Sequence, residues 1–86
     1  RVAPDGRRVA VARLDPRTRR GDIYVLADGG SSQRLTFDDD NDLQPVWTLD
    51  GQHVIWGTER GGAWLLVRRR ADGSGTEDIL HRSEYS

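Results

Sequence analysis

Within 86 residues this sequence repeats itself once. Pro4-Asp5-Gly6 and Leu49-Asp50-Gly51 stand 45 residues apart, and the apolar runs behind them, Val9-Ala10-Val11-Ala12 and Val54-Ile55-Trp56-Gly57, keep that offset. Asp28-Gly29 returns as Asp72-Gly73 at 44, and Leu35 as Leu80 at 45. Such a period marks a supersecondary unit that cannot bury its apolar surface alone and must stack on a neighbour. The chain therefore divides into a first unit, 1–43, and a second, 44–86.

Each unit is punctuated as four short strands. In the first they are Arg1–Ala3, Arg8–Arg13, Asp22–Leu26 and Gln33–Phe37; in the second, Pro45–Thr48, His53–Gly57, Ala63–Arg69 and Glu77–His81. Asp-Gly closes the first hairpin of each copy, because glycine supplies the positive φ of a tight turn. Asp15-Pro16 and Gly61-Gly62 mark the second turns, and the Gly-rich runs from Asp28 and Asp72 mark the third. No segment carries a 3.6-residue apolar period, so the reading is all-β. The second and third strands are continuous apolar runs, Ile23–Leu26 and Trp64–Val67 among them, which predicts burial on both faces. The fourth is more polar, as an outermost edge strand should be. Four antiparallel strands stacked between neighbours, with a polar strand at the rim, make a propeller blade. The predicted fold is two four-stranded antiparallel β-propeller blades.

Composition excludes several alternatives. There is no Cys, so neither a disulfide framework nor a thiolate zinc site can form. No stretch approaches the roughly 20 apolar residues needed to cross a bilayer, so membrane insertion is not expected. The net charge is −1, without the basic excess of a nucleic-acid binder. The absence of an initiator Met suggests a piece excised from something longer.

The stretch Asp42-Leu43-Gln44-Pro45-Val46-Trp47-Thr48-Leu49-Asp50-Gly51, followed by an apolar strand, resembles the "PxWSPDG" signature of TolB-type repeats. Arg34-Leu35-Thr36 resembles the "RLT" that closes them. The first copy keeps Pro4, Asp5 and Gly6 without the Trp; the second keeps Trp47, Asp50 and Gly51 with Thr48-Leu49 in place of Ser-Pro. The resemblance spans nearly the whole chain. It implies rings of about six blades. Such repeats occur in periplasmic TolB, in the propellers of prolyl-oligopeptidase-type enzymes and behind bacterial serine/threonine kinase domains. Residues 59–83 resemble the kinase-fused group most. An extracytoplasmic setting is slightly favoured by the same resemblance.

Candidate chemistry is thin. Asp38, Asp40 and Asp42 place oxygens at alternate positions, as Ca²⁺ ligation requires. A calcium loop of that kind also needs Gly at its sixth position and Glu at its twelfth, where Leu43 and Leu49 stand. A solvated loop is the better reading, and no cofactor is expected. Arg17-Thr18-Arg19-Arg20 falls in a turn, while Arg68-Arg69-Arg70 has Glu77, Asp78 or the acidic loop as candidate partners. His53 and His81 sit in no nucleophile–base arrangement, and Ser31, Ser32 and Ser74 lie in Gly-rich turns with no G-x-S-x-G elbow. Trp47, Trp56 and Trp64 read as core residues rather than as a ligand platform.

The expected function is thus non-enzymatic: a protein-interaction or ligand-binding scaffold. The alternatives are a regulatory or substrate-gating appendage of an enzyme in the parent chain, or a minimal repeat whose job is self-assembly. Two blades leave two apolar faces bare, and neither end resembles a polar cap. The partner is therefore another copy, added head to tail into a ring with a trimer favoured, or the neighbouring blades of a parent chain. The identity of any further protein or small ligand is not written in these residues.

Overall fold

Every turn read from the sequence is followed by a strand, and the strands sort into two antiparallel sheets. The computed structural model describes residues 1–36 and 41–84. The first sheet has the order β1 (Arg8–Leu14), β2 (Gly21–Ala27), β3 (Ser32–Arg34). The second has the order β4 (Asn41–Trp47), β5 (His53–Arg60), β6 (Ala63–Arg70), β7 (Asp78–Glu84). The protein is all-β, with both sheets simple meanders. A 3₁₀ turn at Asp28–Gly30 links β2 to β3.

The sheets hold three and four strands, not the four and four predicted. Residues 1–3 contribute one bridge, Val2 to Val9, flanked by hydrogen bonds from Ala3 N to Arg8 O and from Ala10 N to Arg1 O, both 2.8 Å. Pro4 follows at once, with its φ locked and no N–H to offer, and Gly6 at φ 71° turns the chain back. The ladder therefore stops after one rung. In the second sheet the corresponding strand is longer than expected, beginning at Asn41 rather than Pro45. A register shift between Leu43 and Val46, with Gln44 at φ 57°, absorbs Pro45 at an edge where a missing N–H costs no rung. Phe37, expected to end the fourth strand of the first unit, lies outside the described residues. Gly61 and Gly62 join β5 to β6 with φ of 58° and 79°, the pair of positive values a two-residue type I′ hairpin demands.

Burial alternates along the strands instead of covering both faces. Gly21, Ile23 and Val25 are buried in β2, and Ala63, Leu65 and Val67 in β6, while Trp64 and Leu66 stand exposed between the latter. Each sheet has one packed face because each has one sheet against it. The core joins Ala10, Ile23, Val25 and Leu35 of the first unit to Val54, Trp56, Leu65 and Val67 of the second, with Trp47 at its margin.

The faces that meet are not equivalent. At the repeat offset of 45, Ala10 and Ala12 correspond to Ile55 and Gly57, and Val9 and Val11 to Val54 and Trp56. The first sheet packs through the Ala10 face, to which pairing assigns Ile23 and Val25. The second packs through the Val54–Trp56 face, to which pairing assigns Leu65 and Val67. The front of one unit therefore lies on the back of the other.

Candidate functional site

The seam between the sheets is where the signature residues gather. Asp5 begins the first Asp-Gly turn, and its carboxylate accepts from Arg7 N (2.9 Å) and pairs with Arg8 Nε (3.1 Å). Held this way, the Arg8 guanidinium donates to Gly51 O at 2.7 Å in the second Asp-Gly turn. It also lies over the Trp47 ring, 4.6 Å from the centroid. The Trp47 indole N–H donates to Arg1 O at 2.7 Å. Asp50 accepts from Thr48 Oγ1 (2.6 Å) and Gln52 N (3.0 Å). Pro4 lies 3.7 Å from the Cβ position of Gly51, whose φ is 72°. Thus Arg8 and Trp47 clamp the seam, Pro4 lies against Gly51 across it, and Asp5, Gly6 and Asp50 shape the turns on either side.

At the far end of the seam the backbones nearly touch. A Cβ on Gly21 would meet Asp42 O at 2.5 Å, and Gly21 N donates to Asn41 Oδ1 at 2.9 Å. Asp42 itself is fully buried in β4, where its Oδ1 accepts the Trp56 indole N–H at 3.2 Å. That corrects the solvated-loop reading at this residue, which lies within β4. Of the calcium-spaced trio, Asp38 and Asp40 lie outside the described residues. On the outer side Arg69 reaches across, donating to Leu35 O and Gly73 O, each at 2.8 Å.

The arginine clusters divide along structural lines. Arg68 pairs with Asp78 at 3.0 Å, as its position suggested, whereas Glu77 is taken by Arg60 at 2.9 Å. Arg17 and Arg20 sit in a turn ordered by Asp15 and Thr18, whose oxygens accept their backbone N–H groups. His53 lies half-buried in β5, where its backbone N–H donates to Thr48 Oγ1, and His81 is exposed on β7. Ser74 Oγ donates to Asp72 Oδ1 at 2.6 Å, closing an exposed turn. Among the described residues no three His, Asp or Glu side chains come together as a metal site would need.

Three turn carboxyls are held below the usual range, each by hydrogen bonds to the charged form. Asp5 is lowered chiefly by the Arg7 backbone N–H, Asp50 by the Thr48 hydroxyl and then the Gln52 N–H, and Asp72 by the Ser74 hydroxyl and N–H. All three lie on the surface, so this is turn chemistry.

What remains open is apolar surface. On the second sheet the unpacked face carries Ile55, Leu66 and Trp64, with Val46 on the adjacent β4; Trp64 and Leu66 are 41% and 43% exposed. On the first sheet the unpacked face carries Val9, Val11, Tyr24 and Leu26, with Val2 beside Val9 and 60% exposed. Arg13 stacks on the Tyr24 ring at 4.5 Å, and Arg34 lies 6.0 Å from it while pairing with Asp22 at 2.9 Å. No family model, curated protein or solved structure matches the chain.

The sequence did not single out Arg8, Gly21 and Arg69 as seam residues. Gly21 was findable: a glycine opening an apolar strand signals a close backbone approach. Arg8 and Arg69 carried no such mark.

Proposed function

We propose that the chain is a pair of consecutive propeller blades of the TolB-like kind, serving as a non-enzymatic scaffold. Its end loops and open sheet faces are the contact surfaces. The observation that carries this reading is the front-to-back packing of the two sheets. A radial array needs every unit to offer one face forward and the opposite face backward, whereas a two-sheet sandwich that is complete in itself needs only its two inner faces apolar. Here Ile55, Leu66 and Trp64 are apolar on the outward side of the second sheet, and Val9, Val11 and Leu26 on the outward side of the first. Surface of that kind on both outer faces is interaction surface. The residues that hold the unit together, Arg8, Trp47 and Asp42, are engaged in contacts of the seam. The four-strand count of a full blade is met in the second sheet and reduced to three strands and a bridge in the first.

Binding of an apolar dye such as anilinonaphthalene sulfonate across a dilution series tests this. The scaffold reading expects dye fluorescence from the folded, dilute chain, because the described residues leave apolar side chains exposed on both outer faces. A cooperatively folded chain that binds no dye at any concentration would contradict it.

A further inference from the structure

We infer that the occupant of the open face of the second sheet is the open face of the first sheet of another copy of this chain. This rests on the blade-pair reading and gives it a partner.

Ile55, Gly57 and Leu66 occupy the positions of Ala10, Ala12 and Ile23, the face through which the first sheet is covered. Val9, Val11 and Tyr24 occupy the positions of Val54, Trp56 and Val67, the face that does the covering. The two uncovered faces are therefore the two halves of a contact that the chain already makes once, internally. A heterologous contact of this kind adds copies head to tail and closes when the rotation allows.

Charge does not oppose that pairing. The open face of the first sheet carries Arg13, Arg34 and Asp22, a balance of +1; that of the second carries Glu59, Asp78, Arg68 and Arg70, a balance of zero. Two copies of the first face would meet with like net charge, whereas the two different faces would not.

Size marks one departure. Trp64 stands where the first sheet has Gly21, since each is the partner of an equivalent residue, Glu59 and Leu14. Gly21 lies on the backbone of Asp42, and Asp42 pairs with Thr58, the counterpart of Arg13. Trp64 is thus brought to Arg13 of the next copy, beside a recess lined by Tyr24, Leu14 and Pro16. A guanidinium already stacked on an aromatic ring accepts an indole well. Closing three copies gives six sheets, inside the range of about 4–8 that propellers hold.

Light scattering coupled to size exclusion tests the inference with two blocking variants, Val11→Glu on the first face and Leu66→Glu on the second. The wild-type chain of 9.7 kDa is expected to run as an oligomer, with three copies favoured. Each variant alone is expected to be a monomer, and an equal mixture of the two a capped dimer, because one intact face of each kind remains. Trp64→Ala, whose side chain is exposed, is expected to raise the dissociation constant at least tenfold with unchanged circular dichroism; it keeps the test decisive should a blocking variant unfold. Dimers of Val11→Glu alone would show a symmetric contact through the second face and overturn the inference. So would a wild-type chain that binds the apolar dye yet stays monomeric at hundreds of micromolar. That last result would leave the blade-pair reading intact with a different neighbour.

Discussion

Trp47 joins the two units, and its removal separates packing from hydrogen bonding in the seam. Truncating a fully buried Trp to Ala costs about 3–5 kcal/mol. Trp47 is half-buried at the margin of the core, so roughly half of that, about 2 kcal/mol, is its packing share. The indole N–H to Arg1 O adds about 0.5–1 kcal/mol at an accessible site. The Arg8 stack at 4.6 Å adds a similar amount. Trp47→Ala should therefore lower stability by about 3–4 kcal/mol, against a total of about 4–13 kcal/mol for a domain of this length. Trp47→Phe keeps a ring for Arg8 and loses the N–H, so it should cost only about 1–1.5 kcal/mol. Urea unfolding followed by circular dichroism measures both. A loss below about 1 kcal/mol for the Ala variant, or equal losses for the two, would refute the clamp.

Other expectations follow from the same geometry. Gly21→Ala forces a methyl to within 2.5 Å of Asp42 O, and the displaced backbone should cost about 1–3 kcal/mol in a urea titration; an unaffected midpoint would mean the sheets do not approach so closely. Asp5, Asp50 and Asp72 have lowered folded-state values, so the unfolded chain binds protons first as pH falls. Their stabilisation is full above about pH 4 and is lost on acidification through the folded values, and Asp50→Asn should shrink that acid-side fall in Tm. Millimolar Ca²⁺ should leave Tm unchanged, whereas a site saturated a hundredfold would add about 2.7 kcal/mol; a clear rise would make the acidic run Asp38–Asp42 a metal site after all.

The turns were the most legible part of the fold, because their chemistry is local. Asp5-Gly6, Asp50-Gly51 and Gly61-Gly62 fall where the sequence put them, and β1, β2, β5 and β6 lie between them within a few residues. Strand ends were less legible: Pro45 looks like a start, yet a bulge lets β4 reach back to Asn41. That error placed Asp42 on a solvated loop when it is buried under Trp56. The unbroken run Trp64-Leu65-Leu66-Val67 read as burial on both faces, and only a neighbouring sheet could distinguish Leu65 from Leu66. Arg8 was invisible as a site residue because its partners, Gly51 and Trp47, stand about forty positions away. Long-range contacts of that kind are set by how the faces pack, which a single sequence records only through the repeat offset.

The central claim is that front meets back, and methyl nuclear Overhauser contacts test it most directly. In a dilute sample of the Leu66→Glu variant, kept monomeric so that contacts are internal, Ile23 and Val25 methyls should show cross-peaks to Val54, Leu65 and Val67 methyls. The Val9 and Val11 methyls should show none to that set. Cross-peaks from Val9 or Val11 to Val54 or Val67, with none from Ile23 or Val25, would mean that equivalent faces pack together, and the account would fail.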